Sequence, residues 1–256
     1  MSDESSLKTV VKAMNILQAF THERSDLSVS ELSRDLKLHK SVVSRLVGAL
    51  KRGRLLDQDP VTRRVRVGVG AFRLGSIFAN RQNIVQTVTP FLGMLVSRTG
   101  QSAHAMVLDG TLGLVVATVE SPSALRVIMR VGEHRYLHAT AGGKLFLAFS
   151  DPSLLDAAIQ NHGLLPLTSA TITDLKKLRA ELQTVRQTRI SWNFGESHTG
   201  AGAVAAPVLD DGGYIVAAIT SVYPLNVVGQ RQQKAVARET LLISKKISEK
   251  FRSARS

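Results

Sequence analysis

The chain has 256 residues, no cysteine, 44% hydrophobic residues and a formal net charge of +13. This length and apolar content suit a folded protein with two cores, and the lack of cysteine excludes disulfides, thiolate metal sites and cysteine nucleophiles. A sequence pI of about 10.5 favours a polyanionic partner.

Residues 7–21 place apolar side chains at helical spacing, which predicts a first helix. The segment before it, MSDESS, is acidic and polar and does not resemble a secretion signal. Glycine or charge interrupts every long apolar run within about a dozen residues, short of the length that spans a bilayer. We therefore expect a cytoplasmic protein.

Residues 28–56 predict a helix-turn-helix. Ser28 or Ser30 can cap the first helix, and Leu32 and Leu36 follow at helical spacing. After a break at 37–39, the second helix has an apolar side and a small, polar and basic side, as insertion into the DNA major groove requires. Its predicted DNA contacts are Lys40, Ser41, Val42, Ser44, Arg45 and Lys51. Arg45 is the candidate for bidentate guanine recognition, because its guanidinium matches the O6 and N7 acceptors.

A basic hairpin follows the helix-turn-helix. Residues 58–62 predict a turn between two short strands, and Arg63, Arg64 and Arg66 follow it. Arginines on such a wing can reach the minor groove or the flanking DNA backbone. Ten Lys/Arg and two Asp between residues 37 and 73 contribute +8 of the net +13. Because the charge is concentrated on this motif, the sequence predicts a double-stranded DNA partner.

The rest of the chain predicts a second domain. Residues 69–81 suggest a linker helix, and a further helix runs from about 84 to 98. Strands are expected around a hairpin turn at 109–110, near 125–131 and 135–138, and over 201–210 and 214–222. Helices are expected at about 142–149, 151–161, 173–188 and 229–252. The pattern indicates an α+β protein with a winged helix-turn-helix over 1–68, the linker helix over 69–81 and a second domain over 82–256.

Five segments, in order, resemble the IclR family of bacterial transcriptional regulators. They are LSVSELSRDLKLHKSVVSRLVGALKRGRLLDQD (27–59), RRVRVG (63–68), LHATAGGKLFLA (137–148), LTSATITDLKKLRAELQTVRQTRIS (167–191) and AGAVAAPVLDDGGYIVAAITSVYP (201–224). The resemblance implies a winged helix joined by a linker helix to a GAF-like effector-binding domain, whose antiparallel sheet is flanked by helices. It also implies a homodimer or homotetramer that binds a palindromic operator as a repressor or an activator.

The resemblance implies an effector site as well. Backbone amides of Ala141, Gly142 and Gly143 would hold a small ligand, and the start of a helix there suits a carboxylate. The other positions carried over are Asn193, Phe194, Ala203, Thr220 and Val222. Members that bind small 2-oxo acids carry an acidic residue near Phe194 and hydroxyls near Thr220 and Val222. Because Phe194 and Val222 are apolar here, we expect a larger or more apolar acid, aromatic or branched.

Other functions remain as alternatives. Residues 84–252 could form a small-molecule hydrolase or isomerase domain fused to a DNA anchor, but no matched acid, base and nucleophile support it. An architectural DNA-binding protein without an effector is a third possibility. The histidines lack metal-site spacing, and the glycines do not form a dinucleotide fingerprint, so we expect no metal and no cofactor.

Overall fold

A computed structural model describes residues 2–81 and 84–253, with side chains over 7–77 and 84–252. The chain divides into two compact units, Met1–Gln82 and Asn83–Ser256. The first unit contains α1 (Ser2–Gln18), β1 (Asp26–Leu27), α2 (Val29–Asp35), α3 (Lys40–Arg52), β2 (Leu56–Gln58), β3 (Val65–Val67) and α4 (Val69–Arg81). Its strands form an antiparallel sheet in the order β1-β3-β2. This is a helix-turn-helix with a wing.

Local chemistry explains the limits of α2 and α3. The Ser28 side chain accepts a hydrogen bond from Glu31 N, and the Glu31 carboxylate accepts one from Ser28 N, which is a capping box. The turn after α2 passes through Lys37 at φ 52°, a left-handed conformation. His39 then caps α3. The apolar side of α3 is buried in the core of this unit through Val43, Leu46 and Val47.

The second unit is built on one antiparallel sheet. Its elements are α5 (Ile84–Thr99), β4 (Ser102–Asp109), β5 (Leu112–Val119), β6 (His134–Tyr136), α6 (Ala141–Phe149), α7 (Ser153–His162), α8 (Leu175–Thr188), β7 (Ser191–Phe194), β8 (Ala201–Leu209), β9 (Ile215–Pro224) and α9 (Gln230–Ser253). The six strands lie in the order β6-β5-β4-β9-β8-β7. Gly110, at φ 58°, turns the chain between β4 and β5, as the Asp-Gly pair predicts.

The two faces of this sheet pack against different helices. Ala105 and Ile219 belong to a core with α5 and α9, whereas Met106 and Ala218 belong to a core with α6 and α8. This follows from strand alternation, because successive residues point to opposite faces. We call the second side the α6 face; it carries most of the effector positions discussed below. The α+β fold class predicted from the sequence is confirmed.

Four details differ from the sequence prediction. The first helix spans Ser2–Gln18 and not 7–21, and no strand forms at 125–131. That second segment is apolar, but it pairs with no strand of the sheet. Its apolar residues Val127 and Met129 pack on the core instead. The short strands β1 and β7 were not predicted.

The linker helix predicted over 69–81 coincides with α4. The second domain was predicted to begin at residue 82, which lies outside the described part of the chain.

Candidate DNA interface and effector site

The predicted reading helix presents its polar side to solvent. Lys40, Ser41, Ser44 and Arg45 are exposed on α3, and Lys40 and Ser41 lie at its first two positions. Amides in the first turn of a helix point outward and favour phosphate oxygens. Val42 differs from the others because it is partly buried against the core of the unit. Any DNA contact of Val42 is therefore limited to the exposed part of its side chain.

A groove of about 560 Å³ lies between α2, α3 and the wing. Ser44, Gly48 and Lys51 line it from α3, and Thr62 and Arg63 line it from the wing. The Lys51 ammonium donates a hydrogen bond to Gln58 Oε1 at 3.0 Å, which ties it to β2. The groove thus brings several predicted DNA-binding residues together on one concave surface.

The three wing arginines have different environments. Arg64 pairs with Asp26 at 2.6 Å and with Glu31 at 3.3 Å, which ties the residue before β3 to β1 and to α2. Arg66 pairs with Asp57 at 2.9 Å, and its hydrogen bond is the main cause that lowers the pKa of this carboxyl. Arg63 lies at φ 59° beside the groove. The sequence prediction assigned all three to DNA binding, but in the structure Arg64 and Arg66 neutralise acidic side chains of the same unit.

The predicted ligand amides lie at the start of α6. Thr140 caps this helix by accepting a hydrogen bond from Gly143 N at 3.1 Å, while Ala141 and Gly142 occupy its first two positions. A Cβ on Gly142 would lie 3.2 Å from Thr220 Oγ1, so the helix begins directly over β9. A Cβ on Gly143 would lie 2.4 Å from the Leu137 carbonyl oxygen, so only glycine fits there.

Strand register places most of the other effector positions on the α6 face. Asn193, Ala203 and Val222 are neighbours across β7, β8 and β9, and Thr220 follows two residues before Val222 on the same face. Asn193 is already engaged within the protein: its Nδ2 donates to the Ala139 carbonyl at 2.6 Å, and its Oδ1 accepts from Glu196 N at 3.1 Å. Asn193 therefore positions the chain around the site.

Phe194 is not brought together with the other effector positions. It follows Asn193 on β7 and therefore points to the opposite face. It stacks on Trp192, with ring centroids 5.6 Å apart and 9° between the planes, and is 51% exposed. The expectation that Phe194 contributes an apolar side chain to the effector site does not fit this placement. The apolar lining of the α6 face comes instead from Met106, Ala203, Ala218 and Val222.

Buried polar atoms without a partner mark this face. A row of paired residues crosses the sheet as Ser191, Ala205, Thr220 and His104. Ser191 Oγ, Thr220 Oγ1 and His104 Nδ1 are all buried without a hydrogen bond. Burial, with the nearby positive charge of Arg135, lowers the pKa of His104 to about 3, so its imidazole is neutral at physiological pH. Buried polar atoms of a folded protein normally have a hydrogen-bond partner, so these three are available to a ligand or a water molecule.

A buried ion cluster adjoins the site. Lys144 on α6 is completely buried and donates to both carboxylate oxygens of Glu196, at 2.8 and 3.0 Å, and to Glu181 on α8. Thr168 and Thr171 donate to the carbonyls of Gly195 and Glu196, at 2.7 and 2.6 Å. Together these bonds fix the turn between β7 and β8 over the start of α6.

Sequence reasoning missed Lys144, Glu196, His104 and Arg135. A lysine inside the apolar helix segment AGGKLFLAF is a usable signal, because a buried cation needs a buried partner. A histidine within the apolar strand SAHAMVLD is another. Neither signal identifies the partner, which lies 52 residues away for Lys144.

The fold and these two surfaces define a regulator that joins a DNA-binding winged helix to a separate α+β unit. Comparison with known proteins specifies it further. Residues 9–60 match the IclR helix-turn-helix domain, and residues 77–249 match the family described as bacterial transcriptional regulator IclR C-terminal. The chain belongs to the IclR family of transcriptional regulators. It is therefore a DNA-binding regulator, and the enzyme alternative is wrong.

Individual relatives agree with this placement. The chain is 27% identical to the HTH-type transcriptional regulator XynR of Escherichia coli, over 84% of this chain and 85% of the relative. It is 28% identical to the transcriptional repressor AllR of Klebsiella pneumoniae, over 86% and 80%.

Solved structures show the same architecture. A putative IclR regulator from Silicibacter sp. TM1040 superposes with a TM-score of 0.85 at 26% identity, covering 95% of this chain and 96% of that one. An IclR homologue from Microbacterium hydrocarbonoxydans, solved with 4-hydroxybenzoate, has a TM-score of 0.80 at 21% identity, covering 94% and 99%.

Two features are absent from the described residues. No helix there is both long and apolar enough to cross a bilayer. No group of three or more His, Cys, Asp or Glu side chains there is arranged to hold a metal ion.

Proposed function

We propose that this protein binds a palindromic operator as a homodimer or a dimer of dimers in the cytoplasm, and that a small organic acid at the start of α6 changes its affinity for that DNA. The effector part of this proposal is supported by one observation: Thr220 Oγ1 and His104 Nδ1 are buried without hydrogen-bond partners beneath the first turn of α6. The amides of Ala141 and Gly142, together with the helix dipole, suit a carboxylate.

Apolar surface supports pairing of two copies. Val11 and Met14 on α1 are each 55% exposed, and Phe72 on α4 is 77% exposed. Large apolar side chains exposed on a helix, such as Val11 and Met14 one turn apart on α1, are typical of an interaction site. Two winged helices joined through these helices would read two half-sites, which is how a palindrome is recognised.

The body of the effector is expected to be apolar. Ala203, Ala218, Val222 and Met106 line the α6 face between the polar groups. Phe194 faces away, so an aromatic ring is accommodated only by these aliphatic side chains. The relative solved with 4-hydroxybenzoate makes that acid a natural probe, alongside branched aliphatic acids.

The DNA half is tested with an Arg45→Ala variant. Arg45 is exposed on α3, and loss of a bidentate guanine contact costs about 1–3 kcal/mol of discrimination. Binding to the DNA upstream of the gene should approach that to scrambled DNA of equal length, while salt-sensitive residual binding persists. The matched control is Arg179→Ala in the other unit, where Arg179 is an exposed partner of Asp156. Unchanged discrimination in Arg45→Ala would refute the assignment of Arg45, and equal binding of both DNAs by the parent protein would favour an architectural role.

The effector half is tested by calorimetric titration of the acids into a Thr220→Val variant and the parent protein. The variant keeps the shape of the side chain and removes its hydroxyl. Weaker binding of the acids by the variant, with unchanged DNA affinity, supports the proposed site. Equal affinity of both proteins for every acid that binds would place the effector elsewhere.

A further inference from the structure

The α6 face has polar groups at two separate places. The first is the start of α6 over Thr220, described above. The second is Arg135 on β6, at the far edge of the sheet from β7. Gly113 pairs with both Leu108 and Arg135, and Leu108 lies two residues after Met106 on β4. Strand alternation therefore points the Arg135 side chain to the α6 face.

Arg135 is only partly satisfied. One terminal nitrogen donates to Glu133 and lies 3.8 Å from Met129 Sδ, but Nε is buried without a partner. Its side chain is 18% exposed. A guanidinium carries only donors, so the group that completes it must be a hydrogen-bond acceptor. His104, whose unpaired Nδ1 was noted above, is the direct neighbour of Thr220 across β4 and β9 and so belongs to the first place.

Flexible side chains fill the space between the two places. Met106 lies across Gly113, where a Cβ would be 2.1 Å from its sulfur, and its terminal methyl reaches within 3.5 Å of a Cβ built on Gly142. Met129 lies beside Arg135. Methionine is unbranched and readily adopts other rotamers, so these side chains can give way to a ligand. An elongated ligand would then contact both polar ends with an apolar middle.

We propose that the effector is a dicarboxylate, with one carboxylate at the start of α6, Thr220 and His104, and the second at Arg135. This rests on the effector site proposed above and extends it to the far edge of the sheet. Arg135 supplies a charge-assisted bond to the second carboxylate through its unpaired Nε, and neutral His104 donates to the first carboxylate from a ring nitrogen. Ala218, Val222 and the displaced methionines surround the chain between the two carboxylates.

The experiment compares acids of matched length by isothermal titration calorimetry of the full chain. The probes are succinate, glutarate and adipate against butanoate, pentanoate and hexanoate. At least one dicarboxylate should bind about tenfold more tightly than its monocarboxylate, which is the effect of one charge-assisted hydrogen bond. In Arg135→Gln this advantage should vanish while monocarboxylate binding is kept. Arg135→Lys, which retains the charge and lacks Nε, should fall between the two.

Arg126→Gln is the matched control, because Arg126 pairs with Glu120 in the segment that precedes β6. It should bind every probe like the parent protein. Dicarboxylates that bind no better than their monocarboxylates would refute the second carboxylate site at Arg135 and leave the effector site proposed above unaffected. An Arg135→Gln variant that weakens both series equally would also overturn it, because Arg135 then acts only on structure. If no acid of either series binds, the dicarboxylate proposal fails, and the effector site itself fails only if 4-hydroxybenzoate and the branched acids do not bind either.

Discussion

The buried cluster of Lys144, Glu196 and Glu181 makes a strong prediction about stability. Lys144 is fully buried, and the side chain of Glu196 is 8% exposed, whereas that of Glu181 is 31% exposed. In a Lys144→Met variant, Glu181 can turn to solvent but Glu196 cannot. Removal of one partner of a buried ion pair costs about 3–5 kcal/mol, because the other charge stays buried and unpaired.

The expected change in melting temperature follows from the size of the unit. For domains of about 150–250 residues, each kcal/mol shifts Tm by about 2–4 °C, so Lys144→Met should lower Tm by about 6–20 °C. Trp192 is the single tryptophan and lies on β7 in this unit, so its fluorescence reports this transition alone. The double variant Lys144→Met/Glu196→Gln removes the unpaired charge and should recover much of the loss.

The loss should also depend on pH. Burial raises the pKa of Glu196, and the Lys144 charge opposes that rise. A carboxyl with a raised pKa favours the folded state when protonated, and this contribution is lost as pH rises through its folded-state pKa. Without Lys144 the pKa rises further, so the deficit of Lys144→Met should shrink as pH falls below neutrality.

Exposed Lys176 on α8 provides the control, and Lys176→Met should stay within about 0.5 kcal/mol of the parent protein. A Lys144→Met variant that loses less than about 1 kcal/mol at neutral pH would refute the reasoning. So would a deficit that grows on acidification.

Three further predictions concern DNA binding, the start of α6 and pairing. Arg63→Ala should weaken DNA binding in fluorescence anisotropy and reduce its salt dependence by about one ion. Arg66→Ala, which leaves Asp57 without its partner, should in addition lower the Tm of the first unit in calorimetry. Equal changes of DNA affinity and of Tm in the two variants would contradict this. Gly143→Ala should cost more than about 2 kcal/mol in denaturant unfolding, because the methyl would collide with the Leu137 backbone; near-parental stability would show that α6 can shift. Phe72→Ser should weaken self-association in sedimentation velocity, whereas Tyr214→Ser, at a residue of similar exposure, should not. If the Phe72→Ser variant dimerises with unchanged affinity, α4 is excluded from the interface.

Local rules accounted for much of the fold. Three features each depend on only a few adjacent residues: the Ser28–Glu31 capping box, the break at 37–39 and the Asp-Gly turn before Thr111. Such local signals are retained in the folded chain because each one satisfies the backbone hydrogen bonds of its own few residues. The apolar run at 125–131 did not form a strand, because its apolar residues Val127 and Met129 pack on the core and apolar content alone does not provide a backbone partner.

The candidate sites followed the same division. Spacing placed Lys40, Ser44 and Arg45 on the exposed side of α3, because the apolar side of one helix determines its polar side. Alternation along β7 alone separates Asn193 from Phe194, but the sequence does not say which of the two faces α6. That choice depends on packing against helices distant in the chain.

The sequence by itself determined the family, the basic reading helix and its wing, and the glycines at the start of α6, since these depend on residue type at fixed short spacing. Only the tertiary structure decided which wing arginine is left beside the groove, which face Phe194 occupies and which buried polar atoms lack a partner. Ion pairs such as Lys144–Glu196 join residues far apart in sequence. Pairing and burial of this kind are properties of the packed chain, and no local pattern encodes them.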